Sequence, residues 1–160
     1  MPISIISTTV SVPYNKINKK NIDKIITLHL KREFENKCCS YGFIKNNSVQ
    51  IIQRSQGRIK SIDNISYIMY DINYKIDTYN PKKGDIISCK VNNNTKMGTI
   101  GFLYEKDKLL TLQNSPMLII IPLSDSSKDL KPDDIIDVEV ITSKLKYKSP
   151  QIQIIAKLEN

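Results

Sequence analysis

The stretch Tyr67–Tyr79, with the sequence YIMYDINYKIDTY, has the most regular alternation of apolar and polar side chains in the chain. Successive side chains of a β-strand point to opposite faces of its sheet, so a strand with one buried face alternates in this way. The stretch therefore predicts one long, half-buried strand. Its apolar face would carry Ile68, Tyr70, Ile72, Tyr74 and Ile76, and its polar face Met69, Asp71, Asn73, Lys75 and Asp77.

The residues before this strand predict the rest of a small α+β unit. Residues 3–12 are apolar and β-branched, which favours a first strand. A helix is expected from Asn18 or Asn21 to about Lys37, because apolar side chains recur there at helical spacing. His29 lies at the edge of that apolar stripe, where we expect a packed or hydrogen-bonded imidazole rather than a catalytic one.

Two short strands are predicted between the helix and the long strand. Residues 41–44 and 49–54 have strand composition, and the turn-forming run Asn46-Asn47-Ser48 separates them. This arrangement favours a β-hairpin between the two segments.

A change in pattern after the long strand indicates a second domain. The run Asn80-Pro81-Lys82-Lys83-Gly84 interrupts the strand, and we place the domains at residues 1–81 and 82–160. Five strand-length segments then follow at short spacing, which favours an OB-type β-barrel. These segments are 85–91, 99–104, 109–121, 134–142 and 151–157, with 122–132 as a longer connection.

Charge and composition favour a polyanionic partner and disfavour catalysis. Lys and Arg total 24 against 16 Asp and Glu, a net charge of +8, which suits nucleic acid. Residues 1–81 hold 12 basic and 6 acidic residues (+6), and residues 82–160 hold 12 and 10 (+2). With one His and three Cys, the chain lacks the residues for a Ser-His-Asp triad or a multi-His metal site. We expect no catalytic residue, metal or cofactor.

Cysteine usage and hydropathy favour an intracellular protein. Cys38 and Cys39 are adjacent, and Cys89 stands alone, so reduced thiols in a reducing compartment are expected. No apolar run approaches the roughly 18 residues of a membrane span, and the N-terminus lacks the basic region of a secretion signal. The chain has many Ile, Lys and Asn residues and a single Ala, a bias that fits an AT-rich genome.

Five short motifs occur in a family-specific order. They are Glu35-Asn36-Lys37-Cys38, Tyr41-Gly42-Phe43-Ile44, Gln56-Gly57-Arg58-Ile59, the alternating strand Tyr70–Tyr74, and Tyr79-Asn80-Pro81-Lys82-Lys83-Gly84-Asp85-Ile86-Ile87. Together they resemble the stalk subunit of multisubunit DNA-directed RNA polymerases, the family of the seventh subunit of eukaryotic RNA polymerase II and its archaeal counterpart. The resemblance covers about residues 10–122.

The resemblance implies a fold and a role for each domain. Residues 1–81 would form a truncated RNP-like tip domain that docks on the polymerase core near the clamp. Residues 82–160 would form an S1-type OB barrel facing nascent RNA or transcription factors. The protein would be a noncatalytic subunit whose partners are the core subunits, nascent RNA and a small helical stalk subunit. Gly42, Gly57 and Arg58 match family positions and would contribute to core docking.

Candidate RNA-binding residues lie in the second domain. Single-strand binders combine a cationic groove with aromatic side chains on which bases stack. Phe102 is a candidate for stacking or for the barrel core, whereas the lysines at 144, 146 and 148 form a cationic edge or a solvated hairpin tip. The full set is Lys90, Phe102, Tyr104, Lys106, Lys108, Lys144, Lys146 and Lys148.

Two other functions fit the same sequence. One is a free-standing S1/OB module that binds single-stranded RNA. The other is an assembly subunit whose barrel has lost RNA contact, which the apolar run at 117–121 favours. The base-composition bias makes a giant DNA virus the suggested source, which would place the protein in the host cytoplasm or virion. A cellular counterpart would be nuclear.

Overall fold

The computed structural model describes residues 3–16, 21–122 and 130–159, and strands form most of this part of the chain. Two compact units are present, one made of Met1–Glu35 and Ile44–Thr78 and the other of Asn36–Phe43 and Tyr79–Asn160. The strands are β1 (Ile3–Pro13), β2 (Cys38–Cys39), β3 (Gly42–Ile44), β4 (Gln50–Arg54), β5 (Arg58–Ile62), β6 (Ile65–Tyr79), β7 (Ile86–Thr95), β8 (Gly98–Leu103), β9 (Met117–Pro122), β10 (Ile135–Lys144) and β11 (Ile152–Leu158). The α-helix is α1 (Ile22–Phe34).

Strand β6 is the centre of the first unit. It pairs along one edge with β1 in antiparallel register, from Ile3 opposite Asp77 to Pro13 opposite Tyr67. Strands β4 and β5 pair with its other edge. The predicted alternation is confirmed, because one face of β6 is buried along most of its length. The buried side chains on that face are Tyr70, Ile72, Tyr74 and Ile76.

Helix α1 covers this apolar face. Its buried residues Ile22, Ile26 and Leu30 recur at helical spacing, and the ring of Phe34 stacks on Tyr74 with centroids 5.8 Å apart. Asn21 precedes the helix as its N-cap; the alternative start, Asn18, lies outside the described residues. The helix ends at Phe34, earlier than the predicted Lys37.

The predicted hairpin between residues 41–44 and 49–54 is wrong. Strand β3 has β2 and β6 as its neighbours, and β4 pairs with β6. The turn itself is present, with Asn47 at a φ of 60° and the Ser48 hydroxyl donating to the Lys45 carbonyl (2.7 Å). Both strands pair with the long strand β6, because its free edge offers each of them backbone partners.

A true hairpin joins β5 to β6 and was not predicted. Its two-residue turn is Asp63-Asn64, at φ values of 51° and 65°. Two consecutive left-handed residues match the right-handed twist of the flanking strands. Strand β5 is exposed along its whole length, so residues 58–68 form an exposed hairpin that we call the arm.

The second unit contains a closed five-stranded barrel with the strand order β10-β11-β9-β8-β7, consistent with an OB-like fold. Strands β9 and β11 are parallel and the other pairs antiparallel. The predicted strand 109–121 is confirmed only from Met117 onward, because a turn precedes it in which Ser115 donates its N–H to the Thr111 carbonyl. Much of the predicted 122–132 connection lies outside the described residues. The barrel interior includes Cys89, Val91, Ile119, Ile121, Val138, Ile152, Ile154 and Ala156.

Candidate nucleic-acid interface on the barrel

Lys90 lies on the outer side of the barrel. Its chain neighbours Cys89 and Val91 are buried inside, so the intervening side chain points outward. It stands opposite Phe102 on β8 and Ile135 on β10. The orientation expected for a phosphate contact is therefore present at this position.

Phe102 cannot serve as a base-stacking platform in this structure, which corrects its assignment as an RNA-binding residue. It is only 7% exposed, and stacking needs an open ring face. The strand register places it between Lys90 and Leu118, so its outward ring is enclosed by side chains of the neighbouring strands. The alternation in the sequence left stacking and barrel core open for Phe102, and its place opposite Lys90 follows from the strand register.

Tyr104 and Lys106 follow β8 on the way into a turn. Tyr104 is half-buried, and its backbone N–H donates to the Ser88 carbonyl (2.9 Å). Lys106 is exposed in the turn that Glu105 and Lys108 close by a β-bridge. Of the predicted stacking residues, Tyr104 is the one that retains partial exposure.

Lys108 belongs to a cluster of three polar side chains. The Tyr79 hydroxyl donates to Glu105 Oε1 (2.8 Å) and accepts a hydrogen bond from Lys108 Nζ (3.0 Å). Lys108 Nζ also lies 3.4 Å from Glu105 Oε2 and 5.6 Å from the centre of the Tyr79 ring. The ammonium therefore has two partners within the protein, while its side chain is still 51% exposed.

The same cluster shifts two pKa values. Burial raises the pKa of Tyr79, and its hydrogen bond to Glu105 acts in the same direction. The hydrogen bond to Tyr79 raises the pKa of Lys108. Sequence reasoning missed Tyr79 and Glu105 as site residues. The spacing Glu105-x-x-Lys108 is the one local signal of the cluster, and Tyr79 is distant in sequence.

Lys144, Lys146 and Lys148 do not form the predicted cationic edge of an extended segment. Lys144 is the last residue of β10, and the chain then turns. Lys148 adopts a left-handed conformation (φ 62°), its N–H donates to the Cys38 carbonyl, and its Nζ lies 5.7 Å from the Tyr147 ring centre. Side chains share one edge only along an extended strand, so the alternation behind the predicted edge does not continue from Lys144 to Lys148.

The predicted docking residues occupy different units. Gly42 lies in the second unit at a φ of +128°, where a Cβ atom would overlap the Tyr79 carbonyl oxygen. Gly57 lies in the first, where a Cβ would overlap Ile68. Gly42 allows close backbone approach at a positive φ, and Gly57 leaves room for the Ile68 side chain, so each glycine has a structural reason for its presence.

Arg58 begins the exposed arm. Its Nη2 lies 3.0 Å from Asp71 Oδ1, and both side chains are more than half exposed, so the pair adds at most about 1 kcal/mol. Beside it Ile59 is 74% exposed, and Ile62 and Ile65 are exposed as well. The arm thus presents apolar side chains and cations together on the surface of the first unit.

The cysteines and the histidine are the remaining chemistry-bearing groups of the described residues. Burial raises the pKa of Cys38 to about 11 and that of Cys89 to about 12, so both thiols are protonated at neutral pH. His29 Nε2 lies 2.9 Å from Glu33 Oε2 on the exposed side of α1. Within residues 3–16, 21–122 and 130–159, no three His, Cys, Asp or Glu side chains are grouped to hold a metal ion.

No helix in the described part of the chain has the length and apolar character needed to span a membrane. No protein-family model matches the sequence, and no curated protein has significant similarity to it.

Proposed function

We propose that the protein is a noncatalytic stalk subunit of a multisubunit DNA-directed RNA polymerase. The ordered motif series supports this proposal, as does the order of a helix-on-sheet unit followed by a barrel consistent with an OB-like fold. In this interpretation the first unit is an RNP-like tip domain and the barrel is of the S1 type. Its partners are the core subunits and a small helical stalk subunit, and its source is a giant DNA virus.

The observation that carries the proposal is the exposure of the arm. The motif Gly57-Arg58-Ile59 opens the arm, and Ile59 is 74% exposed on β5. Ile62 and Ile65 of the same hairpin are exposed too, and exposed apolar side chains that are grouped are typical of surfaces that a partner buries. We assign core docking to this arm, with Ile59 as its apolar anchor and Arg58 beside it.

A second candidate, an assembly subunit whose barrel does not contact RNA, is favoured by the state of the predicted RNA-binding residues. Phe102 is buried, Lys108 is paired with Glu105, and Lys148 lies in a turn. A free-standing S1/OB module would need strong RNA affinity of its own, and this surface offers few of the required groups. Factor binding is therefore the better-supported role for the barrel.

The test is affinity purification of the tagged protein from its native source, followed by mass spectrometry of proteins retained at about 0.5 M salt, where exposed charge contacts are screened. We expect the two largest polymerase subunits. Ile59→Glu should abolish their recovery, whereas Ile5→Glu, at another exposed isoleucine of the same unit, should not. Recovery of RNA-dependent, salt-sensitive partners alone would overturn the stalk assignment in favour of the free RNA-binding module.

A further inference from the structure

An open groove of about 510 Å³ runs between α1 and β4 in the first unit. One wall consists of Asp23, Thr27 and Lys31, which are spaced four residues apart and so share one side of the helix. The other wall is the segment 49–54. This groove is distinct from the arm and from the barrel residues considered above.

The strand side of the groove has one edge without a strand partner. Among the described strands β4 pairs with β6 alone, so its second edge has no strand beside it. A strand edge carries backbone N–H and C=O groups spaced to pair with another extended chain. The five residues of β4 extend at most about 17 Å, because a bulge at Ile52 interrupts the regular spacing, so the edge matches a segment of up to about five residues.

Side chains fix both ends of this groove. At one end Glu35 Oε2 accepts the N–H of Val49 (3.1 Å), immediately before β4 begins. At the other end Arg54 Nε lies 2.6 Å from Asp23 Oδ1, and its guanidinium stands 5.2 Å from the Tyr70 ring centre. These two contacts link the helical side to the strand side at both ends of the groove, and so they set the distance between its walls.

The charge and the hydropathy of the groove indicate which kind of chain segment would fit it. Arg54 neutralises Asp23, which leaves Lys31 as the charge that sets the sign of the helical wall. Ile52, at the bulge of β4, is 52% exposed beside the groove. An occupant needs backbone groups in line with β4, a β-branched or apolar side chain toward Ile52, and a carboxylate toward Lys31.

We propose that this groove binds an extended segment of a partner protein, which adds as a strand to the free edge of β4 and places an acidic side chain against Lys31. Backbone hydrogen bonds to the strand edge supply affinity, and the helical wall selects the side chains. The inference is independent of the polymerase assignment, because it rests on the groove alone.

Nuclear magnetic resonance titration of the full-length protein tests the proposal. The probe is a capped hexapeptide of alternating valine and threonine with one central glutamate, added to about 1 mM. Amide shifts should concentrate in residues 49–54 and on the Thr27 side of α1. An N-methylated version of the peptide, which lacks the backbone donors, should not bind. Equal binding of both peptides, shifts elsewhere, or no shifts would overturn strand addition.

Two variants sharpen the result. Thr27→Tyr narrows the groove and should weaken binding at least about tenfold, whereas Lys24→Tyr on the same helix lies outside the groove and should not.

Lys31→Glu should transfer the preference from the glutamate peptide to its lysine counterpart. An unchanged preference in Lys31→Glu, with the fold intact by circular dichroism, would refute the assigned charge. If the protein dimerised and the peptide competed with the dimer, the occupant of the groove would be a second copy of this chain. That result would overturn the proposed partner protein.

Discussion

The buried carboxylate of Glu35 accepts the backbone N–H of Val49, fourteen residues further along the chain, at 3.1 Å. Glu35 directly follows α1, and Val49 directly precedes β4. One side chain therefore fastens the end of the helix to the start of the strand, and it satisfies a backbone donor that would otherwise be buried without a partner.

We expect Glu35→Ala to lower the free energy of unfolding by about 1 to 3 kcal/mol, because it leaves the Val49 N–H without its acceptor. Glu35→Gln keeps an acceptor oxygen and should lose less. Urea unfolding followed by circular dichroism measures both. The control is Glu33→Gln on the exposed side of α1. Equal stability of Glu35→Ala and the wild type would contradict the role of this hydrogen bond.

Gly42→Ala should destabilise the second unit by at least about 2 kcal/mol, since a Cβ would overlap the Tyr79 carbonyl and φ is +128°. Gly84→Ala is the matched control. It also has a positive φ (+93°), but no atom lies within 4 Å of its Cβ position, so only backbone strain of about 1 kcal/mol applies. Similar losses in both variants would show that steric overlap at Gly42 is unimportant.

Alkaline pH should destabilise the protein. Burial raises the pKa of Cys89 from 9.0 to about 12, so the folded state holds this proton more tightly than the unfolded state. The resulting stabilisation is fully present below pH 9 and is lost as the pH rises from 9 toward 12. In Cys89→Ala the unfolding free energy should be lower at pH 7 but decline less steeply above pH 9. Parallel pH profiles of the two proteins would refute this prediction.

Tyr79→Phe should lower the free energy of unfolding by about 1 kcal/mol, because it removes the hydroxyl that joins Glu105 and Lys108. Tyr104→Phe is the control, since Tyr104 is outside this cluster. Thermal unfolding in low and high salt distinguishes the hydrogen bonds from general charge effects. A loss that is equal in the two variants would argue against a specific role for Tyr79.

Any binding of single-stranded RNA to the barrel should depend weakly on salt. Because Lys108 is paired with Glu105 and the lysines at 144, 146 and 148 do not share one extended strand, we expect a log-log slope shallower than about −1. Fluorescence anisotropy with a short labelled RNA measures this slope. Lys108→Gln should leave the affinity unchanged, and Lys90→Gln should reduce it. A slope near −2 that becomes shallower in Lys146→Gln would restore the predicted cationic edge, and a loss of affinity in Lys108→Gln would restore the phosphate contact predicted for that lysine.

Local patterns in the sequence predicted those elements whose burial repeats along a single segment. The alternation from Ile68 to Ile76 gave the long strand β6, and short spacing gave the five barrel strands. Strand β5 was missed because its side chains are all exposed and its Asp63-Asn64 turn lacks glycine and proline. The β3–β4 hairpin was wrong because neighbouring segments both pair with β6, a choice that local sequence does not encode.

The candidate site was harder to predict, because its contacts join residues that are distant in sequence. The sequence left Phe102 open between a stacking position and the barrel core, and it could not show that the side chain is only 7% exposed opposite Lys90. Lys108 donates a hydrogen bond to the hydroxyl of Tyr79, which lies 29 residues earlier in the chain, and no sequence motif contains both residues. Lys148 adopts a left-handed conformation that lysine seldom takes, so extrapolating the alternation past β10 failed.

Strand β1 pairs with a segment that is synthesised long after it. Ile3 stands opposite Asp77, and a ribosome adding about 5 to 20 residues per second needs roughly 4 to 15 s to make the intervening chain. During that time an apolar strand with no charged side chain between Ile3 and Val12 has no native partner. Nascent chains of this protein should therefore depend on ribosome-associated chaperones until β6 emerges from the exit tunnel.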